Sequence, residues 1–213
     1  MPLDVRLFPC LSDNYGFLVR DAATGAVATV DTPDADAILA ALEQSGWGRL
    51  DLILNTHWHP DHTQGNAALK AATGCEIVGP EEVRRAAPLD RVVRGGDVVS
   101  LGDTALEVTD TPGHTLGHIV YRDPAGAQAF VGDTLFALGC GRLFEGTPGQ
   151  MWDSLQALAA VYSWAHQTVV SSGQAVSACR LSHIWSGVPS NRRPQPSANR
   201  VSPTKAWATP RWR

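Results

Sequence analysis

A chain of 213 residues suits one domain, or a domain with a small appendage, and a hydrophobic content of 44% is enough for a globular core. No apolar run approaches the roughly 18 residues of a membrane span, and the opening MPLDVRLFPC lacks a basic segment followed by an apolar one, which argues against a secretory signal; with four scattered cysteines, a cytoplasmic protein without a membrane partner is expected. The formal net charge of −4 conceals two unlike parts: residues 1–153 hold 10 bases and 21 acids, a net −11, whereas residues 154–213 hold seven bases and no acid.

Residues 3–8 and 15–20 alternate and predict two strands joined by the turn Ser12-Asp13-Asn14. Ala26–Val30 predicts a third. Asp34-Ala35-Asp36 offers N-caps for a helix over Ala37–Gln44 that Gly46 would stop. Leu50–Leu54 is short and nearly all apolar, the pattern of a buried strand. A helix over Asn66–Ala72 closed by Gly74, a strand at Glu76–Val78 and a short helix over Glu81–Ala87 follow. Four more strands are predicted at 97–101, 105–109, 118–121 and 128–131, then a helix over Met151–Ser163 and a strand at Thr168–Val170. Beyond Gly173 no period of 2 or 3.6 is sustained. Two clusters of strands separated by helices suit two sheets flanked by helices.

The chemistry is concentrated just after the buried strand, in Thr56-His57-Trp58-His59-Pro60-Asp61-His62. Imidazole and carboxylate are the usual ligands of a borderline divalent metal such as zinc. In an extended segment His57 and His59 point the same way, and Asp61 and His62, past the turn at Pro60, can face a second position. One structural ion would not need both pairs; a two-metal hydrolytic site would. The plain alternatives are a surface histidine cluster or a mononuclear site. Two further segments fit. Thr111-Pro112-Gly113-His114-Thr115-Leu116-Gly117-His118 sets His114 in a tight turn, where Gly113 and Gly117 let the backbone pass close to another group. Gly132-Asp133-Thr134 puts Asp133 at a strand end, and one carboxylate can bridge two ions. The four cysteines form no CxxC pair, which disfavours structural zinc and a disulfide framework. Cys10, Cys75 and Cys140 are expected to be packing residues.

These three motifs, in this order and spacing, resemble the metallo-β-lactamase superfamily. Within it, Pro9-Cys10-Leu11-Ser12-Asp13-Asn14-Tyr15 and Gly139-Cys140-Gly141-Arg142-Leu143-Phe144-Glu145-Gly146 resemble the hydroxyacylglutathione hydrolase (glyoxalase II) family. The resemblance covers roughly residues 3–172. It implies an α+β fold, a four-layer αββα sandwich. It assigns His57, His59 and His114 to one metal, Asp61 and His62 to a second, and Asp133 to both, with Asp61 and Asp133 also catalytic. It makes His118 a hydrogen-bonding residue beside the ligands. Arg142 and Phe144 become substrate contacts, Arg142 holding a glutathione carboxylate. The implied cofactors are two divalent ions, zinc first, with iron or manganese as alternatives. The implied substrate is a glutathione thioester, hydrolysed by a monomer with no nucleic-acid partner. Other superfamily chemistries, a persulfide dioxygenase using one iron or a lactonase, are the competing enzymatic readings.

The resemblance fails at the C-terminus. Where the family has Gly-His-Glu-Tyr-Thr, this chain reads Gly173-Gln174-Ala175-Val176-Ser177, so the second metal site lacks a histidine that His166 or His183 would have to replace. Residues 1–172 are therefore expected to form the metal-hydrolase domain. Residues 173–213 are expected to be an atypical basic tail in place of a helical substrate domain, arising either from a reading-frame change near residues 161–174, with an inactive product, or from divergence.

Overall fold

Leu52, Ile53 and Leu54 form one short strand whose successive side chains enter different cores. Leu52 and Leu54 join one apolar cluster, and Ile53 joins another on the opposite face. That alternation is the period-2 geometry of a strand buried on both sides, and it recurs throughout. In the computed structural model, residues 3–12, 14–125, 128–136, 139–161, 168–170 and 179–180 are described.

The first sheet contains β1 (Asp4–Cys10), β2 (Asn14–Arg20), β3 (Val27–Val30), β4 (Leu52–Leu54), β5 (Glu76–Gly79) and β6 (Arg91–Val92), in that spatial order. The β1–β2 and β2–β3 pairs are antiparallel, and β3 through β6 run parallel. The second sheet contains β7 (Val98–Leu101), β8 (Thr104–Asp110), β9 (Ile119–Asp123), β10 (Gln128–Phe130), β11 (Thr168–Val170) and β12 (Cys179–Arg180), again with sequence neighbours paired. Phe17, Val19, Leu54, Val78, Leu106, Tyr121 and Phe130 meet between the sheets. Leu18, Ile53 and Ile77 turn outward to Ile38 and Leu42 of α1 (Ala35–Ser45) and Leu69 of α3 (Asn66–Thr73). On the far side Val120, Ala129 and Val131 pack on Leu158 of α4 (Pro148–Val161). The layers are therefore helix, sheet, sheet, helix, the αββα sandwich expected.

Helix ends follow local chemistry. Asp34 caps α1 by accepting from Ala37 N at 3.1 Å, and Gly46 closes it with φ 71°. The last helix begins at Pro148 rather than Met151. Thr147 and Gln150 cap each other, Gln150 N donating to Thr147 Oγ1 and Thr147 N to Gln150 Oε1, with proline at the first helical position. The segment Glu81–Arg85 is a 3-10 turn instead of an α-helix. One-turn α2 (Pro60–Thr63) and the two-residue strands β6 and β12 were not expected, because elements that short display no period. The strand predicted at 50–54 starts only at Leu52, since the Asp51 carboxylate turns to accept Val27 N. The basic tail over 173–213 lies outside the described residues apart from β12, and so do Gln174, His166 and His183.

One carboxylate ties the two sheets together at the end remote from the histidines. Asp21 Oδ1 accepts from Ala23 N and Thr24 N, and Oδ2 accepts from Asp103 N, Thr104 N and Thr104 Oγ1. Burial opposes its charge, but these donors outweigh burial and pull its pKa down to about 2. A depressed carboxylate stabilises the fold above its unfolded pKa near 3.8, and the stabilisation is lost as pH falls from about 4 toward 2. We expect Asp21→Asn to lower stability at neutral pH and to flatten this acid limb, as measured by denaturant titration at successive pH values.

Candidate metal centre

Parallel strands β3 and β4 end side by side, with Val30 opposite Leu54, so the residues after each strand are neighbours. After β4 come Asn55, Thr56 and His57, all fully buried, and Pro60 then starts α2. Proline suits a first helical turn because it has no N–H to satisfy. That turn sends His62 inward and leaves the Asp61 side chain 52% exposed at the mouth.

His57 Nε2 lies 3.0 Å from His59 Nδ1, which lies 2.9 Å from His114 Nε2. Asp133 is split between two groups: Oδ2 is 3.2 Å from His114 Nε2, and Oδ1 is 3.3 Å from His62 Nε2. His57, His59 and His114 thus offer donor atoms within 4.8 Å of one another, and so do His57, His62 and Asp133. Asp61 stands just outside the second trio, its Oδ2 3.6 Å from His62 Nε2. The extended pairing predicted for His57 and His59 is therefore found, and His62 and Asp133 join them.

The nitrogens facing away define the tautomers. His114 Nδ1 donates to the Arg142 carbonyl at 2.6 Å, which leaves Nε2 as a lone pair. Thr56 Oγ1 donates to Asp31 Oδ2 at 2.8 Å, so it accepts from His57 Nδ1 at 3.0 Å, again leaving Nε2 free of a proton. His62 Nδ1 donates to the same Asp31 oxygen at 2.9 Å. Ligating histidines generally carry such an outer hydrogen bond. Burial, then the neighbouring imidazoles, holds His57 well below the usual histidine range and His59 at about 4. Burial also lowers His114. These three are neutral, the ligating form. For His62 burial is outweighed by Asp133 and Asp31, which raise it to about 10; a positive charge is favoured at that point.

This donor set fits divalent cations. Two lone pairs and His59 Nδ1 converge, and one proton on His59 can serve only one neighbour well. Zinc–nitrogen bonds of about 2.0–2.1 Å set tetrahedral ligands roughly 3.3 Å apart, close to the separations here. Asp133 Oδ1 is buried and accepts no hydrogen bond among the described residues, which a cation would remedy.

Asp31 escaped the sequence reading. It is fully buried with φ 56°, and it accepts Thr56 N at 2.7 Å as well as Thr56 Oγ1 and His62 Nδ1. The available signal was an aspartate ending the apolar strand that pairs with the strand before the histidines. His118 behaves as expected: its Nε2 accepts Asp133 N at 3.1 Å, while Nδ1 faces Thr111 and Thr134. The close passages expected at Gly113 and Gly117 are against Met151 and Glu82. Glu145 accepts from Trp58 Nε1, Arg85 Nη1 and Leu116 N, fixing the tryptophan between the two motif histidines. Cys10 and Cys75 are buried as expected, but Cys140 is exposed, because the 139–146 loop lies on the surface beside the site.

Above the donors lies a cavity of about 690 Å³ lined by residues including Leu11, Asp61, His114, Asp133, Arg142 and Phe144. Phe144 also stands nearly perpendicular to the rings of His59 and His114, at 5.2 and 5.4 Å between centroids. A second cavity, about 390 Å³ near Asp21 and Glu107, contains no histidine.

Residues 28–166 match the Metallo-beta-lactamase superfamily profile. This chain belongs to the metallo-β-lactamase superfamily. Curated relatives include hydroxyacylglutathione hydrolases of Maricaulis maris, 56% identical over 158 residues (74% of this chain, 61% of the relative), and of Erythrobacter litoralis, 50% identical over 159 residues (75% and 63%). The chain thus spans about three-fifths of the length of these superfamily relatives. Among solved structures, ETHE1 from Myxococcus xanthus has a TM-score of 0.70 at 29% identity, covering 82% of this chain and 76% of that one. The BLEG-1 B3 metallo-beta-lactamase shares the fold with a TM-score of 0.73 at 19% identity, covering 82% and 93%. Superfamily membership and the histidine–aspartate cluster together imply divalent metal ions. Since Asp31 orients His57 and His62 together, Asp31→Asn is expected to weaken metal binding about 10–100-fold, measured by chelator competition on the folded variant.

Proposed function

We propose that the chain is a metal-dependent thioester hydrolase acting on 2-hydroxyacylglutathione, S-D-lactoylglutathione first, to release glutathione and a 2-hydroxy acid. The observation that carries this reading is the division of Asp133, one oxygen toward His114 and the other toward His62, in a chain 50% and 56% identical to two hydroxyacylglutathione hydrolases over about three quarters of its length. His57, His59 and His114 are assigned to one ion, Asp61 and His62 to a second, and Asp133 to both. Zinc is the proposed metal, with iron or manganese as alternatives. When bound, two such ions supply an acidified water and an electrophilic contact for the carbonyl oxygen.

The chain's own residues do the rest. Asp61, exposed beside His62, accepts a hydrogen bond from the attacking water and orients it. His118 holds the Asp133 backbone, and Asp31 holds His57 and His62, so the donors need no rearrangement during reaction. Arg142, in the cavity wall, pairs with a glutathione carboxylate, and Phe144 packs along the substrate. Glutathione departs as a thiolate, whose pKa near 8.5 makes protonation by a protein acid unnecessary. The protein is proposed to work as a cytoplasmic monomer.

Hydrolysis of S-D-lactoylglutathione by the purified, metal-supplemented chain tests the proposal. Turnover should be present and His57→Ala should reduce it by more than about a hundredfold, beyond what loss of an outer partner costs. Arg142→Gln should raise KM with kcat little changed, as for lost uniform binding. Absence of turnover from folded, metal-loaded protein, or oxygen consumption with one bound iron, would refute it.

A further inference from the structure

Among the described residues, two that are not glycine hold a positive φ: Asp31 at 56° and Leu11 at 54°. Asp31 is the carboxylate behind the histidines, and its hydrogen bonds offset the conformation. Leu11 has no polar side-chain atom to do the same. The left-handed region brings Cβ against the backbone and is ordinarily left to glycine or asparagine. Leu11 is also 48% exposed. It follows Cys10 in the link between β1 and β2, whose pairing runs to Cys10 opposite Asn14 and leaves three residues to turn the chain. Leu11 lines the same cavity as Asp61, His114 and Asp133.

An exposed leucine is ordinary, and so is a left-handed glycine. A leucine that is exposed, left-handed and set in the wall of the donor-lined cavity carries a conformational and a hydration cost together. Such strain concentrates at ligand-binding sites, and the other strained residue is at this site.

We propose that Leu11 is a specificity residue that contacts the apolar part of the acyl group, an inference that rests on the thioester hydrolase reading. A thioester extends in two directions from its carbonyl. The 139–146 loop contributes Arg142, suited to the charged glutathione end. Leu11 comes from a different element and offers only hydrocarbon, which matches the methyl of a lactoyl group.

The test compares wild type with Leu11→Gly and Leu11→Asn in the full, metal-loaded chain. Both replacements accept the left-handed conformation and should melt no lower than wild type. Rates are measured on S-D-lactoylglutathione and on S-glycolylglutathione, which lacks the methyl. The lactoyl-to-glycolyl ratio of kcat/KM should fall about tenfold in both variants, the scale of one lost methyl contact, with the change carried by KM. Wild type active on both substrates with an unchanged ratio in the variants overturns this inference alone. Wild type inactive on both overturns the hydrolase reading and this inference together.

Discussion

Three imidazole nitrogens within about 3.0 Å of their neighbours, beside a buried carboxylate, form an arrangement that protons serve poorly. Charging the imidazoles is opposed by burial, and leaving them neutral sets lone pairs toward one another. A cation resolves both conflicts. The rest of the site consists of groups that keep this arrangement from relaxing. Asp31 reaches His62 directly and His57 through Thr56, the Arg142 carbonyl fixes His114, and His118 fixes the backbone of Asp133. These partners are bonded on the side away from the centre, so His57, His62 and His114 each have one orientation.

The fold supplies the rigid floor. His57 follows a strand buried on both faces, and Asp31 follows the strand paired with it. Asp133 stands just past a strand of the opposite sheet, and His114 lies in the link between two strands of that sheet. The donor set therefore spans the seam of the sandwich, and packing between the sheets positions the two sides against each other. The walls come from loops: the turn after β1, with Leu11, and the 139–146 segment, with Arg142 and Phe144. Donor geometry is thus set mainly by the core, and the 139–146 segment adds to it through the Arg142 carbonyl, which holds His114.

Much of this was legible in the sequence. Apolar alternation and caps located most helices and strands, because burial of both strand faces leaves continuous apolar runs and because Asp34, Gly46 and Gly74 carry unambiguous end signals. The donors were legible because imidazoles crowded behind a buried strand have few other uses. Asp31 was not, since one aspartate after a strand looks like a turn until the register sets it beside Thr56. Cys140 looked like a packing residue because its neighbours are small, and only the course of the loop shows it exposed. Short elements such as α2 and β6 carry too few residues for any period.

The direct measurement is a metal titration of the metal-free chain, with bound ions counted by mass spectrometry under native conditions, for wild type and Asp133→Ala. The account predicts that wild type takes up two divalent ions, one tightly and one more weakly, and that Asp133→Ala weakens both, because each of its oxygens faces a different donor group. A wild type that never exceeds one ion, or a variant that retains two with unchanged affinity, would contradict it.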